Sequence, residues 1–182
     1  MTTVEPIRNV EDIRKLEKFL EKRKGKRDLL FFTMGINWGL RISDIVALDV
    51  GDVKGKTYVQ ITEQKTGKQK KMFVNEKLKP MIAEYTKGKK NSEALFVTIF
   101  GNRLDRFSAY HILKDACKAV GLEEKIGTHT LRKTFGYHHY KKIKDIALLQ
   151  KSLITLVLLL LNDTLVLNKM KLTRVMQTLF YS

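Results

Sequence analysis

Residues 39–48 read GLRISDIVAL, and this stretch decides the fold and the candidate site of the chain. Gly39 follows an apolar run and predicts the end of a helix, because glycine readily adopts conformations that stop helices. Ser43 predicts the N-cap of a second, short helix that runs to the end of the stretch. Arg41 therefore lies between two helices, where the backbone fixes its position. An arginine there can bind a phosphate bidentately or form a salt bridge with Asp44, and both interpretations stay open.

The pattern on either side is mainly α-helical with a small antiparallel β-sheet, an α+β fold. Residues 57–62 and 69–74 alternate between apolar and polar as strands do, and the turn KTGK at 65–68 joins them into a predicted β-hairpin. Gly67 in this turn suits a positive φ. Further helices are predicted over 11–23, 26–38, 76–86, 106–119, 129–141 and 143–150, with a strand-like segment over 94–98.

The charge of the chain points to an anionic partner. Its 182 residues include 35 basic and 19 acidic side chains, which give a net charge of +16. A domain this basic repels itself, so an anionic partner is expected, with nucleic acid as the first candidate. An acidic membrane surface, or a surface that serves solubility alone, are the alternatives.

The single cysteine and the lengths of the apolar segments indicate the cellular compartment in which the protein is expected. Cys117 is the only cysteine, so no disulfide forms within the chain, and its apolar neighbours predict that it fills the core. The polar stretch 1–12 does not resemble a signal peptide. The longest apolar run, 153–161, is too short for a bilayer, which takes about 20 residues. We therefore expect a cytoplasmic protein, associated with the nucleoid in a bacterium.

Two further stretches contain residues suited to phosphate chemistry. In HTLR at 129–132 the spacing predicts that His129 and Arg132 share one helix face while Leu131 points to the core. Taken alone, His129 fits a buried core histidine better than a catalytic one, and its pairing with Arg132 in a chain of net charge +16 favours the site. Lys65 lies on the hairpin turn, where a lysine is either merely solvated or able to deliver an ammonium group to a leaving oxygen.

These three stretches in this order resemble the tyrosine recombinase, or phage integrase, family over about residues 5–151. The resemblance implies a mostly helical catalytic domain that binds double-stranded DNA and breaks and rejoins strands through a 3′-phosphotyrosine. It implies no metal, ATP or other cofactor. It assigns Arg41 and Arg132 to the scissile phosphate, and each such donor is worth about 3 kcal/mol in comparable sites. It makes Lys65 the general acid for the departing 5′ oxygen, His129 a donor or proton carrier, and Asp44 a supporting residue.

The sequence departs from the family pattern after residue 151. The family places a histidine or tryptophan, and then the nucleophilic tyrosine, at positions that are Thr155 and Thr164 here. The next tyrosine is Tyr181, far out of register. Residues 152–182 contain ten leucines and no glycine. With a suitable choice among the codons that this sequence allows, a shifted reading frame from near Lys151 encodes N-H-S and R-Y-I at about the required positions.

We therefore divide the chain into a catalytic domain over 1–151 and an aberrant leucine-rich tail over 152–182, which a one-base deletion explains. A genuinely divergent tail is the alternative. Little sequence precedes the catalytic domain, so an N-terminal DNA-binding domain is expected to be absent and DNA affinity to depend on phosphate contacts and salt. As encoded, the domain is expected to bind DNA without cleaving it. The alternative function is a non-catalytic DNA-binding remnant of a mobile genetic element, and self-association on DNA is possible in either case.

Overall fold

The computed structural model describes residues 4–23, 26–122 and 126–143, and it confirms a mainly helical fold with one small antiparallel sheet. The predicted helix over 143–150 and the tail over 152–182 lie outside the described residues, apart from Ile143. In chain order the elements are α1 Val10–Lys22, α2 Arg27–Trp38, α3 Ile42–Val46, α4 Val50–Val53, β1 Tyr58–Thr62, β2 Gln69–Phe73, α5 Leu78–Tyr85, α6 Arg106–Ala119 and α7 Thr130–Ile143.

The predicted β-hairpin is confirmed at the predicted position. Strands β1 and β2 pair antiparallel from Tyr58 opposite Phe73 to Thr62 opposite Gln69. Gly67 in the turn has a φ of 66°, as the sequence predicts. Val59 and Ile61 of β1 are buried, so alternate residues of this strand face the core.

Helix α2 is the central helix of the core and ends where the sequence predicts. Most of its side chains are buried, and Gly39 caps its C-terminus with a φ of 60°. A Cβ on Gly39 would lie 2.4 Å from the ring of Phe135, and a Cβ on Gly35 would lie 2.4 Å from Leu131 Cδ1. Because both glycines lack side chains, α7 packs directly against the backbone of α2.

The structure corrects the sequence prediction in two places. Helix α3 begins two residues earlier than expected, with Arg41 rather than Ser43 as its N-cap, because the carbonyl of Arg41 already accepts from the N–H groups of Asp44 and Ile45. It ends at Val46, and the short helix α4 was not predicted. The segment 94–98 is not a regular strand, since it forms only isolated bridges from Ala94 to Asp49 and from Val97 to Arg103.

The N-terminal segment and the cysteine complete the core. The backbone N–H of Ile7 donates to Thr134 Oγ1 at 2.9 Å, which attaches residues 4–9 to α7. Cys117 is fully buried as predicted, and burial raises the pKa of its thiol to about 12. In the three described ranges, no helix has the length and apolar character needed to cross a membrane.

Candidate active site

Arg41 lies at the start of α3, directly after the helix break at Gly39. Its Nη1 atom is 3.0 Å from Glu63 Oε1 and 3.8 Å from Asp44 Oδ2. The side chain is 22% exposed. Nη1 is buried, and Glu63 is its closest ion-pair partner among the described residues. The salt bridge to Asp44 that the sequence left open is therefore the longer of two contacts, and Glu63 is the closer partner.

Arg132 reaches the same carboxylate from α7. Its Nη1 atom is 3.4 Å from Glu63 Oε1, and its side chain is 28% exposed. Leu131, the preceding residue, is buried against Gly35 as predicted. The close packing of α7 on α2 therefore brings the guanidinium groups of Arg41 and Arg132 to one oxygen atom, although the two residues are far apart in the chain.

Glu63 and Lys70 form the buried side of this cluster. Lys70 Nζ lies 2.6 Å from Glu63 Oε1, and Thr66 Oγ1 donates to Oε2 at 2.7 Å. The Glu63 side chain is only 4% exposed. Burial raises the pKa of its carboxyl group, but the contacts with Lys70, Thr66 and Arg41 outweigh burial and lower the pKa to about 2. The carboxylate is therefore charged throughout the physiological range.

Asp44 joins α3 to the hairpin turn. The side chain is buried, and Oδ1 accepts a hydrogen bond from the backbone N–H of Gln64 at 3.0 Å. This contact places the turn beside the N-terminus of α3, where Arg41 begins the helix. Asp44 thus links the hairpin turn to the start of α3 and lies 3.8 Å from Arg41 Nη1.

The structure places the other two predicted site residues on exposed segments next to the cluster. Lys65 is exposed in the turn, two residues after Glu63. His129 is also exposed, and it precedes α7 rather than lying in it, because its carbonyl accepts the first helical bond from the N–H of Lys133. Within the described residues, no hydrogen bond or ion pair positions either side chain. Exposure overturns the alternative that His129 is a core histidine.

Sequence reasoning missed Glu63 and Lys70, although a signal for both was present. Glu63 continues the inward phase of Val59 and Ile61, and Lys70 shares the inward phase of Met72. A charged residue in phase with core residues on both strands of one hairpin indicates a buried ion pair, because an unpaired buried charge is costly. The phase of the strand alternation would therefore have found them.

The cluster is suited to binding an anionic oxygen. Arg41, Lys70 and Arg132 carry three positive charges against two carboxylates, Glu63 and Asp44, which leaves one net positive charge. The two arginines are partly exposed, whereas Lys70 is not. Arginine binds phosphate through paired N–H groups, so these two side chains can bind a phosphate from the solvent side. In the described part of the chain, no group of His, Cys, Asp and Glu could bind a metal ion.

Comparisons with known proteins identify the family and the fold of the chain. The sequence model of the phage integrase family matches residues 9–153. The probable integrase/recombinase YoeC of Bacillus subtilis (strain 168) is 50% identical over 154 residues, which are 84% of this chain and 84% of YoeC. The crystal structure of XerA recombinase matches with a TM-score of 0.68 at 18% identity, over 83% of this chain and 55% of that one. The pre-cleavage complex of XerH site-specific recombinase bound to difH substrate matches with a TM-score of 0.65 at 20% identity, over 82% and 46%. The chain therefore spans about half of these two solved chains.

Proposed function

This chain belongs to the phage integrase family, and from that premise we propose that Arg41 and Arg132 bind one phosphate of double-stranded DNA. The observation that supports the proposal is the meeting of their guanidinium groups at Glu63 Oε1, at 3.0 and 3.4 Å. The net charge of +16 favours the approach of a polyanion to the whole chain. DNA bound to the XerH neighbour is consistent with the same substrate class here.

The chemistry proposed for this site is a phosphoryl transfer without metal. In a chain that carries the family's nucleophilic tyrosine, the tyrosine hydroxyl passes its proton to His129 as proton carrier, and its oxygen forms a bond to the scissile phosphorus while the bond from phosphorus to the 5′ oxygen breaks. Arg41 and Arg132 stabilise the charge that builds on the nonbridging oxygens, and His129 is a further donor. Lys65 transfers a proton to the departing 5′ oxygen. The exposed position of Lys65 in the turn suits this role better than the buried position of Lys70.

The binding proposal is tested by comparing three arginine variants of equal charge. We expect Arg41→Ala and Arg132→Ala each to weaken binding of a fluorescent duplex by about tenfold or more, because a hydrogen bond to a charged group contributes about 1.5–3 kcal/mol. Arg14→Ala is the matched control, since Arg14 is exposed on α1 and pairs only with Glu11 among described residues. Fluorescence anisotropy titrations measure the affinities. Equal losses in all three variants would show that only net charge matters.

The encoded chain is further proposed to bind DNA without cleaving it, because Thr164 stands where the family has its nucleophile. We expect no covalent adduct with a nicked suicide duplex that traps phosphotyrosine. A chain translated in the shifted frame after Lys151 is expected to form the adduct. An adduct of the encoded chain through Tyr181 would contradict this proposal.

The division of the chain and its location remain proposals of the same kind. We propose a catalytic domain over 1–151 and a frame-shifted tail over 152–182, in a cytoplasmic protein that self-associates on DNA. Sequencing the gene around Lys151 tests the frame. If the gene contains no shifted frame that encodes the family's tyrosine, the alternative function is favoured, namely a non-catalytic DNA-binding remnant of a mobile element.

A further inference from the structure

Glu63 is a buried carboxylate at the centre of three cations that come from three different elements. Arg41 belongs to the start of α3, Lys70 to β2 and Arg132 to α7, and all three contact the same oxygen, Oε1. Without an anion between them, two guanidinium groups and an ammonium group at this spacing would repel one another. The Glu63 carboxylate, which contacts all three cations while Asp44 contacts only Arg41, therefore allows them to stay together when no phosphate is bound.

The hairpin turn holds both the backbone and the side chain of Glu63 in place. Its backbone N–H donates to the carbonyl of Lys68 at 2.9 Å, and its own carbonyl accepts from Gly67 N–H at 2.8 Å. The Thr66 hydroxyl binds Oε2, the carboxylate oxygen that the cations leave free. Both ends of the residue are thus held by the turn, so the position of Oε1 is set by the hairpin.

Exposure separates the cations into two kinds. The Lys70 side chain is 9% exposed and lies on the buried side of the carboxylate, whereas both arginine side chains keep more than twice that exposure. A phosphate arriving from solvent meets the arginines first. Glu63 contacts them from the protein side, so it can orient their planes without occupying the outer positions.

We propose that Glu63 is a positioning residue that orients Arg41 and Arg132 toward one phosphate, with Lys70 neutralising it on the buried side. The inference rests on the proposed function, because it assumes that the arginines bind a DNA phosphate. It assigns a role to a residue that touches neither the substrate nor the reacting atoms. Preorganised donors bind more tightly because less freedom is lost on binding.

For the DNA affinity of Glu63→Gln, a positioning role and simple electrostatics predict changes of opposite sign. Glu63→Gln removes a negative charge next to the phosphate site, and charge alone would then strengthen DNA binding. Positioning predicts weaker binding, because the arginines lose the anion that orients them. The sign of the change in affinity therefore distinguishes the two.

A double variant removes the net-charge difference altogether. Glu63→Gln alone leaves Lys70 buried without its carboxylate partner, which destabilises the fold. In Glu63→Gln combined with Lys70→Met, one acid and one base are removed together, so the net charge stays at +16. Circular dichroism checks that this variant is folded before binding is measured.

The decisive measurement is a double-mutant cycle on a fluorescent duplex. We expect the double variant to bind the duplex about tenfold more weakly than the natural chain. We also expect Arg41→Ala to reduce the affinity much less in the double variant than in the natural chain. An unchanged cost of Arg41→Ala, or tighter binding by both Glu63 variants, would overturn the positioning role. If the natural chain itself fails to bind the duplex, the proposed function fails, which is a different result from these.

Discussion

At the scale of single residues, the protonation state of the Glu63 carboxyl group depends on the cations around it. The carboxyl pKa of about 2 lies below the ordinary value of 4.5 because contacts with Lys70, Thr66 and Arg41 outweigh the opposing effect of burial. A carboxyl group with a lowered folded-state pKa stabilises the fold above its unfolded-state pKa, and the unfolded chain takes up its proton first as the pH falls.

We predict that the stability difference between the natural chain and Glu63→Gln is largest above about pH 5 and shrinks as the pH falls from 4.5 toward 2. Urea unfolding followed by circular dichroism at pH 6 and pH 3 measures it. Glu84→Gln is the control, because Glu84 forms an exposed ion pair with Lys26, and such pairs contribute about 0–1 kcal/mol. A difference that is the same at both pH values would show that Glu63 is not held as a charged group.

At the scale of secondary structure elements, the contact between α2 and α7 decides whether the two arginines meet. Gly35 and Gly39 lie one helical turn apart and face Leu131 and Phe135, which are also one turn apart. Since Arg132 lies between these two α7 residues in the chain, a displacement of α7 away from α2 would carry its guanidinium group away from Glu63.

We predict that Gly39→Ala destabilises the chain more than Gly55→Ala does, and that only the first weakens DNA binding. Both glycines have positive φ values, 60° and 68°, so both variants incur about 1–2 kcal/mol of backbone strain. Only at Gly39 does the new Cβ meet Phe135, which adds about 1–3 kcal/mol of overpacking. Thermal unfolding and duplex titration measure the two effects. Equal losses of stability would mean that Phe135 simply moves aside.

At the scale of the whole molecule, net charge and the local site contribute to DNA binding in different ways. The charge of +16 acts on any polyanion over a long range, while the two arginines act on one phosphate. Binding through phosphates releases counterions, so the logarithm of affinity falls linearly with the logarithm of salt concentration.

We predict a steep salt dependence for the natural chain, and a slope that is smaller by about one for Arg41→Ala. Titrations of one duplex at several salt concentrations give the slope. Arg14→Ala is expected to keep the natural slope, because Arg14 lies on α1 and not in the arginine cluster. A slope near zero for the natural chain would show that phosphate contacts do not drive its binding.

The local pattern of the chain was enough to predict most of the elements and to single out three residues of the cluster, Arg41, Asp44 and Arg132. Helical and strand periodicity, the break at Gly39 and the turn at Gly67 depend on neighbouring residues, so α1, α2, the hairpin and α6 were predicted to within about two residues. Arg41 and Arg132 were found because short motifs carry them. The start of α3 was wrong by two residues, since an N-cap depends on backbone hydrogen bonds as well as on residue type.

The sequence by itself determined which residues form helices and strands and which cations are available, because these depend on local spacing and composition. Only the tertiary structure decided that Arg41, Lys70 and Arg132 share one carboxylate of Glu63, and that glycines of α2 admit α7 closely enough for this. The physical reason is distance along the chain. Charge pairing between residues 41, 63 and 132 depends on how the helices and the hairpin pack against one another. Local periodicity does not encode contacts between residues that are distant in the chain.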